Sequence, residues 1–377
     1  MSGAAETRPR VLFVLPNFAG GGAERVALLL LSKLDRSAFA PQLAVLDATG
    51  PLRSLLADDT VLYDLAQPRL SRALPALLVL VRRQRPAVVF ATQGYLNVTL
   101  LAARPLLPLG TRIALRESNT PSQSLPNRRH PGLMAWAYRR FYPKADLLFC
   151  QHRQTETEMA EHFGVPAGRI IGLPNPVPAA LLRAAAAAPL RTPGPGLRFV
   201  AAGRLTRQKG FDRLIEIFVG LPDDARLTIH GEGDDVGALR QRIADLGLEE
   251  RVTLAAFTDR LPAELAGADA CVISSRWEGL PNVALESLAV GTPVIATPES
   301  GGIAELAAAA VPGAVIIAPW GEPFRKRMAA CRPRDLQAPA ESLLPPRYDI
   351  DGVAATFNAA LRRLLADDTV LGYEERS

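Results

Sequence analysis

Val11-Leu12-Phe13-Val14-Leu15-Pro16, followed by Asn17-Phe18-Ala19-Gly20-Gly21-Gly22-Ala23-Glu24-Arg25, reads as a strand, a glycine-rich turn and the start of a helix. The first run is apolar throughout rather than alternating, which predicts a strand covered on both faces. After it, Ala23, Val26, Ala27, Leu30, Leu31 and Leu34 recur at helical spacing and form one apolar face. The same unit repeats. Short β-branched or apolar runs at 42–46, 61–65, 87–91, 112–115, 146–150 and 169–173 alternate with longer helical patterns. Such strands separated by helices predict a parallel sheet with helices on both sides.

A stretch rich in alanine, then Pro193-Gly194-Pro195-Gly196, interrupts the pattern and reads as a linker. The pattern restarts with strands at 198–202, 226–230, 252–256, 270–274, 293–296 and 314–317. The expected organisation is therefore a first α/β domain over 1–185, a linker at 186–196, a second α/β domain over 197–350, and a helix and tail over 351–377. A length of 377 residues suits two such cores better than one.

The three cysteines are far apart and form no CxxC pair, so a disulfide framework or structural zinc site is not expected, and a reducing compartment fits. The N-terminus shows no signal-peptide pattern, and no apolar run is long enough to span a bilayer. Residues 1–190 carry 22 Lys and Arg against 12 Asp and Glu, whereas the remainder is acidic, which suggests an anionic partner for the first half. The basic residues are scattered without interleaved stacking aromatics, so no nucleic-acid module is expected.

In doubly wound sheets, ligands bind beyond the carboxyl ends of the strands. Four such ends carry chemistry. Gly20, Gly21 and Gly22 let the main chain approach a ligand, and the helix that follows favours an anion. In Ala202-Gly203-Arg204-Leu205-Thr206-Arg207-Gln208-Lys209-Gly210-Phe211, the Arg204 fork and Lys209 ammonium make a clamp suited to a diphosphate. In Ser274-Ser275-Arg276-Trp277-Glu278-Gly279-Leu280-Pro281-Asn282-Val283-Ala284-Leu285-Glu286, Glu278 sits in a loop and Glu286 about one turn into a helix. That separation suits two grips on one long hydroxyl-bearing ligand, with the amides of 280–283 heading the helix. The fourth end, Thr297 to Glu305, supplies the pair Gly301 and Gly302.

Together these motifs resemble the family 4 retaining glycosyltransferases of GT-B fold, the bacterial envelope polysaccharide type. The resemblance rests on Glu278 and Glu286 at E-x7-E spacing, Gly203-Arg204 with Lys209-Gly210, Gly21-Gly22-Ala23-Glu24-Arg25, and Asn175-Pro176-Val177. It implies two Rossmann-like domains facing across a cleft, with the second domain holding a nucleotide sugar. Glu286 would accept hydrogen bonds from ribose hydroxyls. Glu278 would hold hydroxyls of the transferred sugar, helped by the amides around Gly279, Leu280, Pro281, Asn282 and Val283. Arg204 and Lys209 would neutralise the departing diphosphate, and the Gly20–Gly22 turn would face the donor phosphate. With Arg204, Lys209 and Glu278 as the catalytic set, the implied activity is a retaining hexosyl or N-acetylhexosaminyl transfer. It needs no metal and no cofactor, with UDP favoured over GDP as the donor base. A nucleotide-sugar epimerase and a catalytically silent nucleotide-sugar-binding subunit are the alternatives.

The chain departs from the family pattern in three places, one of them the stretch 319–348, which carries Pro345-Pro346 and no clear periodicity. Where many relatives carry a histidine, it reads Arg116-Glu117-Ser118-Asn119, so Glu117, Ser118 and Asn119, with Asn17, are the candidate sugar or acceptor contacts. The helical pattern at 353–365 is followed by only a dozen residues, so the segment that crosses back onto the first domain in relatives is expected to be short or missing. Finally, Arg128, Arg129, Arg139, Arg140 and Lys144 surround Leu133, Met134, Trp136, Tyr138, Phe141 and Tyr142. Such a segment reads either as a core-facing helix with solvated arginines or as a contact for an anionic membrane surface or a lipid-linked saccharide acceptor, and the second goes with a cytoplasmic protein peripheral on the inner face of the membrane.

Overall fold

Apolar runs flanked by turns become strands that helices cover on both sides, and the chain forms two such units. The computed structural model describes residues 8–187, 196–334 and 340–366. The first unit is Met1–Pro176 with Asp351–Ser377, and the second is Val177–Ile350.

The first unit contains β1 (Arg10–Leu15), β2 (Ala40–Val45), β3 (Val61–Asp64), β4 (Val88–Ala91), β5 (Arg112–Glu117), β6 (Leu147–Cys150) and β7 (Ile170–Gly172). They form one sheet in the order β3-β2-β1-β4-β5-β6-β7, with every pairing parallel. One face packs Phe13, Phe90 and Phe149 beneath the helix Gly22–Ser32. The other packs Leu12, Val14, Val89 and Leu115 against Tyr138 and Tyr142. The order reverses between β1 and β4, so the loops after these strands splay apart and leave a crevice at the carboxyl edge.

The second unit contains β8 (Arg198–Ala202), β9 (Arg226–His230), β10 (Val252–Ala255), β11 (Ala270–Ile273), β12 (Val294–Ala296) and β13 (Val315–Ile317). Their order is β10-β9-β8-β11-β12-β13, again all parallel. The helix Phe211–Phe218 buries Phe211, Leu214, Ile215 and Phe218, as its spacing requires. Here the reversal lies between β8 and β11, which are the strands that lead into the two charged motifs.

Two boundaries differ from the sequence reading. The helix Ala179–Ala185 belongs to the second unit, because Leu182 and Ala186 are buried with Leu285 and Leu288. The chain enters that unit at Val177 and leaves it alongside. The Val177 amide donates to Tyr348 at 2.9 Å, and the Ile350 amide donates to Val177 at 3.0 Å. Of the expected linker at 186–196, residues 188–195 lie outside the described residues, as do 367–377 of the expected tail.

The last helix, Ile350–Ala366, is a full part of the first unit rather than a missing or shortened segment. Val353, Phe357, Ala360 and Leu361 enter that unit's core. Phe357 packs against Phe13, Phe90 and Phe149, with ring centroids 6.0, 5.2 and 5.2 Å away. Lys33 pairs with Asp351 at 2.7 Å, and Asn358 accepts a hydrogen bond from the Asp35 amide at 2.9 Å.

Candidate active site

In the second unit, the loops after β8 and β11 are stitched together residue by residue. The Ser274 hydroxyl donates to the Lys209 carbonyl at 2.9 Å, and the Arg276 amide donates to the Gln208 carbonyl at 2.8 Å. Gln208 returns a bond to the Trp277 carbonyl at 3.0 Å. Arg276 forks onto Asp212 at 2.8 and 2.7 Å. From beneath, Arg213 donates to the Ser274 and Ser275 carbonyls, at 2.7–2.9 Å, while stacking on Trp320 at 4.4 Å. Gly210 makes this approach possible. Its φ is +67°, and a Cβ there would lie 2.2 Å from the Ser274 carbonyl oxygen.

The result is a direct contact between two residues singled out from the sequence. The Lys209 ammonium donates to Glu278 at 2.7 Å, with side chains 16% and 13% exposed. The Ser275 hydroxyl donates to the same carboxylate oxygen at 3.0 Å. A cation and a carboxylate held in register at a strand switch point can grip a phosphate and a hydroxyl of one ligand. Arg204, earlier in the same loop, is exposed to solvent.

Glu286 lies half-buried in the helix Asn282–Ala289, whose N-terminus carries no side-chain cap. The amides that open this helix are donors with a favourable dipole for an anion or a hydroxyl oxygen. Leu280, Pro281 and Val283 are buried and Asn282 is half-buried. The loop carrying Gly279 is held by the fourth motif, which the sequence left without a role. The Gly302 amide donates to the Gly279 carbonyl at 2.6 Å, and Gly301 has φ +64° with room for no Cβ, since one would lie 1.8 Å from that same oxygen. Thr297 donates to the Ser275 carbonyl at 2.9 Å.

In the first unit, Asn17 accepts a hydrogen bond from the Ala19 amide at 3.0 Å and so shapes the turn after β1. Gly20 and Gly22 are exposed there. Gly21 lies against the Glu24 carboxylate, where a Cβ would be 2.2 Å from Oε2. Glu24 in turn accepts from Gln93 at 2.5 Å, tying the exits of β1 and β4 together.

Glu117 is not an open contact residue. It is 2% exposed and accepts hydrogen bonds from Tyr142 at 2.5 Å and Tyr138 at 3.1 Å. Burial holds its carboxyl above the usual range, opposed by the two tyrosines and the Asn119 amide. Arg116 is equally buried, donates to Asn175 and Ser118, and is pushed down to about 10 by burial. Ser118 and Asn119 are the half-buried residues that follow. Tyr138 and Tyr142 therefore leave the expected surface segment for this internal network, whereas Leu133 and Trp136 remain 61% and 54% exposed. Arg213, Asp212 and Gln93 escaped the sequence reading, because each acts through a partner distant in sequence.

Comparisons with known proteins identify the family. Residues 21–176 match the glycosyl transferase 4-like domain, and residues 185–329 match the glycosyl transferases group 1. The chain is 40% identical over 114 residues to the lipopolysaccharide core biosynthesis glycosyltransferase LpsE of Rhizobium meliloti, covering 30% of this chain and 33% of that one. It is 28% identical over 198 residues to the N-acetylgalactosamine-N,N'-diacetylbacillosaminyl-diphospho-undecaprenol 4-alpha-N-acetylgalactosaminyltransferase of Campylobacter jejuni, covering 52% and 53%. These matches thus span a third to a half of each relative's length. Among solved structures, HepE of Anabaena in complex with UDP-glucose superposes with a TM-score of 0.71 at 18% identity, covering 94% of this chain and 100% of that one. The chain belongs to the family 4 glycosyltransferases of GT-B fold.

Proposed function

We propose that this protein transfers a glycosyl residue, hexosyl or N-acetylhexosaminyl, from a nucleotide sugar to a saccharide or lipid-linked acceptor, with retention and without a metal ion. UDP is favoured over GDP as the donor base. The observation that carries the reading is the 2.7 Å contact of Lys209 with Glu278 at the β8/β11 switch point. In this account Glu286 takes the ribose hydroxyls and Glu278 the hydroxyls of the transferred sugar. Lys209, Arg204 and the amides opening the helix Asn282–Ala289 take the diphosphate, with the Gly20–Gly22 turn as a further phosphate contact. Ser118, Asn119 and Asn17 serve the sugar or acceptor, and Glu117 acts by holding them in place.

The bond from the anomeric carbon to the β-phosphate oxygen breaks as the acceptor oxygen bonds to that carbon from the same face. The departing phosphate oxygen takes the acceptor's proton. Donors preorganised around developing phosphate charge supply the stabilisation that a divalent ion provides elsewhere. The Anabaena complex with UDP-glucose and the Campylobacter enzyme named for a diphospho-undecaprenol substrate support the donor and acceptor classes.

A specific surface supports a peripheral position on the cytoplasmic face of a membrane. Residues 118–145 contain no Asp or Glu, and Leu133 and Trp136 stand exposed beside Arg128, Arg129, Arg139 and Arg140. Apolar side chains rimmed by cations suit an anionic lipid interface.

The test is incubation with a panel of UDP- and GDP-sugars and a lipid-linked saccharide extract, with the anomeric configuration of the product read by NMR. A retained-configuration product from one donor supports the reading. Conversion of the nucleotide sugar without any acceptor would identify an epimerase instead, and donor binding without any turnover a silent subunit. Co-sedimentation with anionic vesicles at low salt tests the membrane surface, and no binding would remove it.

A further inference from the structure

His230 ends β9, and its backbone is held on both sides. The Gly203 amide donates to the His230 carbonyl at 3.0 Å, and the next amide, of Gly231, donates to Ala255 at 2.9 Å. Gly231 has φ +156°, and a Cβ on it would lie 1.9 Å from the Gly203 carbonyl oxygen. Only glycine lets the exit of β9 press so closely on the loop that carries Arg204 and Lys209.

The strand alternates. Leu227 and Ile229 enter the core with Phe199 and Phe218, so Thr228 and His230 lie on the opposite face. That face is covered by the helices Leu261–Ala266 and Asn282–Ala289, through Leu265, Ala284 and Leu288. The imidazole is only 6% exposed, yet neither ring nitrogen has a hydrogen-bond partner among the described residues. A buried, unsatisfied side chain in a native protein calls for an explanation, and a ligand group is the one its position offers.

Three features define the ligand. β9 and β11 flank β8, so His230 stands two strand spacings, about 10 Å, from the strand leading to Glu286. Phe257, two residues beyond β10 and 44% exposed, offers an apolar ring at the same edge. Burial lowers the imidazole pKa, against the Glu264 carboxylate and an Ala256 main-chain approach that falls short of hydrogen-bond geometry, and so favours the neutral ring. A neutral imidazole presents one donor and one acceptor, the pairing that the edge of a nucleobase requires.

We propose that His230 reads the nucleobase of the donor nucleotide, with Phe257 as the apolar wall beside it. The assignment rests on the reading that the second unit holds a nucleoside diphosphate. It adds a side-chain determinant of base choice to that site.

The test is calorimetric titration of the full chain with UDP, GDP, ADP, CDP and inorganic pyrophosphate, for the wild type, His230→Leu and His230→Gln. The wild type is expected to prefer one nucleotide. His230→Leu should weaken that nucleotide by about tenfold, as expected for a lost buried hydrogen bond, and flatten discrimination among the four bases. Pyrophosphate affinity should stay unchanged, and His230→Gln should restore part of the preference. Unaltered base discrimination in His230→Leu would overturn the assignment.

If His230→Leu does not fold, NMR of the wild-type histidine rings decides, with only four histidines to assign. The His230 ring resonances should move with UDP and not with pyrophosphate. Their failure to move while UDP is bound overturns the proposal. A wild type that binds pyrophosphate but no nucleotide removes the nucleotide reading itself, and the base assignment with it.

Discussion

Lys209 and Glu278 lie 69 positions apart and meet at 2.7 Å, each the end of a loop fixed to the other by main-chain bonds. Both are largely shielded from solvent, so each depends on the other for charge compensation until a ligand enters.

Lys209→Met should therefore do more than weaken donor binding. Loss of a preorganised cation at a departing phosphate typically costs about 100- to 1000-fold in turnover. The measurement is kcat and KM for the donor, with UDP affinity measured separately by calorimetry. The account expects kcat to fall far more than affinity, and an equal fall in both would indicate that Lys209 only binds.

Glu117→Gln should change how stability depends on pH. Burial raises the Glu117 pKa in the folded protein, so the native state holds a proton more tightly than the unfolded chain. Native stability from this group is greatest below the ordinary glutamate pKa and is lost as pH rises toward the raised folded value. The melting temperature of Glu117→Gln minus that of the wild type should thus increase with pH across that window. A flat difference would contradict the shift.

Phe357→Ala should destabilise the first unit by about 3–5 kcal/mol, the usual cost of emptying a buried aromatic site. Urea unfolding followed by tryptophan fluorescence gives the value. A loss well under about 1 kcal/mol would mean that the last helix is not integral to this core.

Gly301→Ala and Gly313→Ala form a matched pair. Both glycines have positive φ, +64° and +86°, but only Gly301 has a carbonyl where the Cβ would sit, and Gly313 has nothing within 4 Å. Strain alone should cost each variant roughly 1 kcal/mol or more. Only Gly301→Ala should also displace the Gly279 loop and lower turnover, as steady-state kinetics on the two variants would show.

The parallel architecture was legible because the strands are buried on both faces, and every expected strand is present to within two residues at either end. The difference that matters functionally is at the end of β5. That strand reads as ending at Leu115 but runs on through Arg116 and Glu117, which pair with Phe149 and Cys150 of β6. Two charged residues read as loop, and the tyrosines and Asn175 that make their burial tolerable lie 21 to 59 positions away. The helix Ala179–Ala185 was hidden in the same way, since an alanine run carries little pattern until Leu182 and Ala186 find a core. At the site, residue types and spacing placed Lys209, Glu278 and Glu286 on the correct loops and helix. The supports, Arg213 under Ser274 and Gly301 over Gly279, are long-range contacts without a local signature.

The most direct test of the central claim is calorimetric titration of the purified chain with UDP and GDP, repeated for Glu286→Ala. The account predicts saturable binding of a nucleoside diphosphate, UDP more tightly than GDP, weakened at least about tenfold in the variant through loss of its hydrogen bonds to the ribose. No binding of either nucleotide by a folded wild-type protein, or binding that Glu286→Ala leaves untouched, would contradict it.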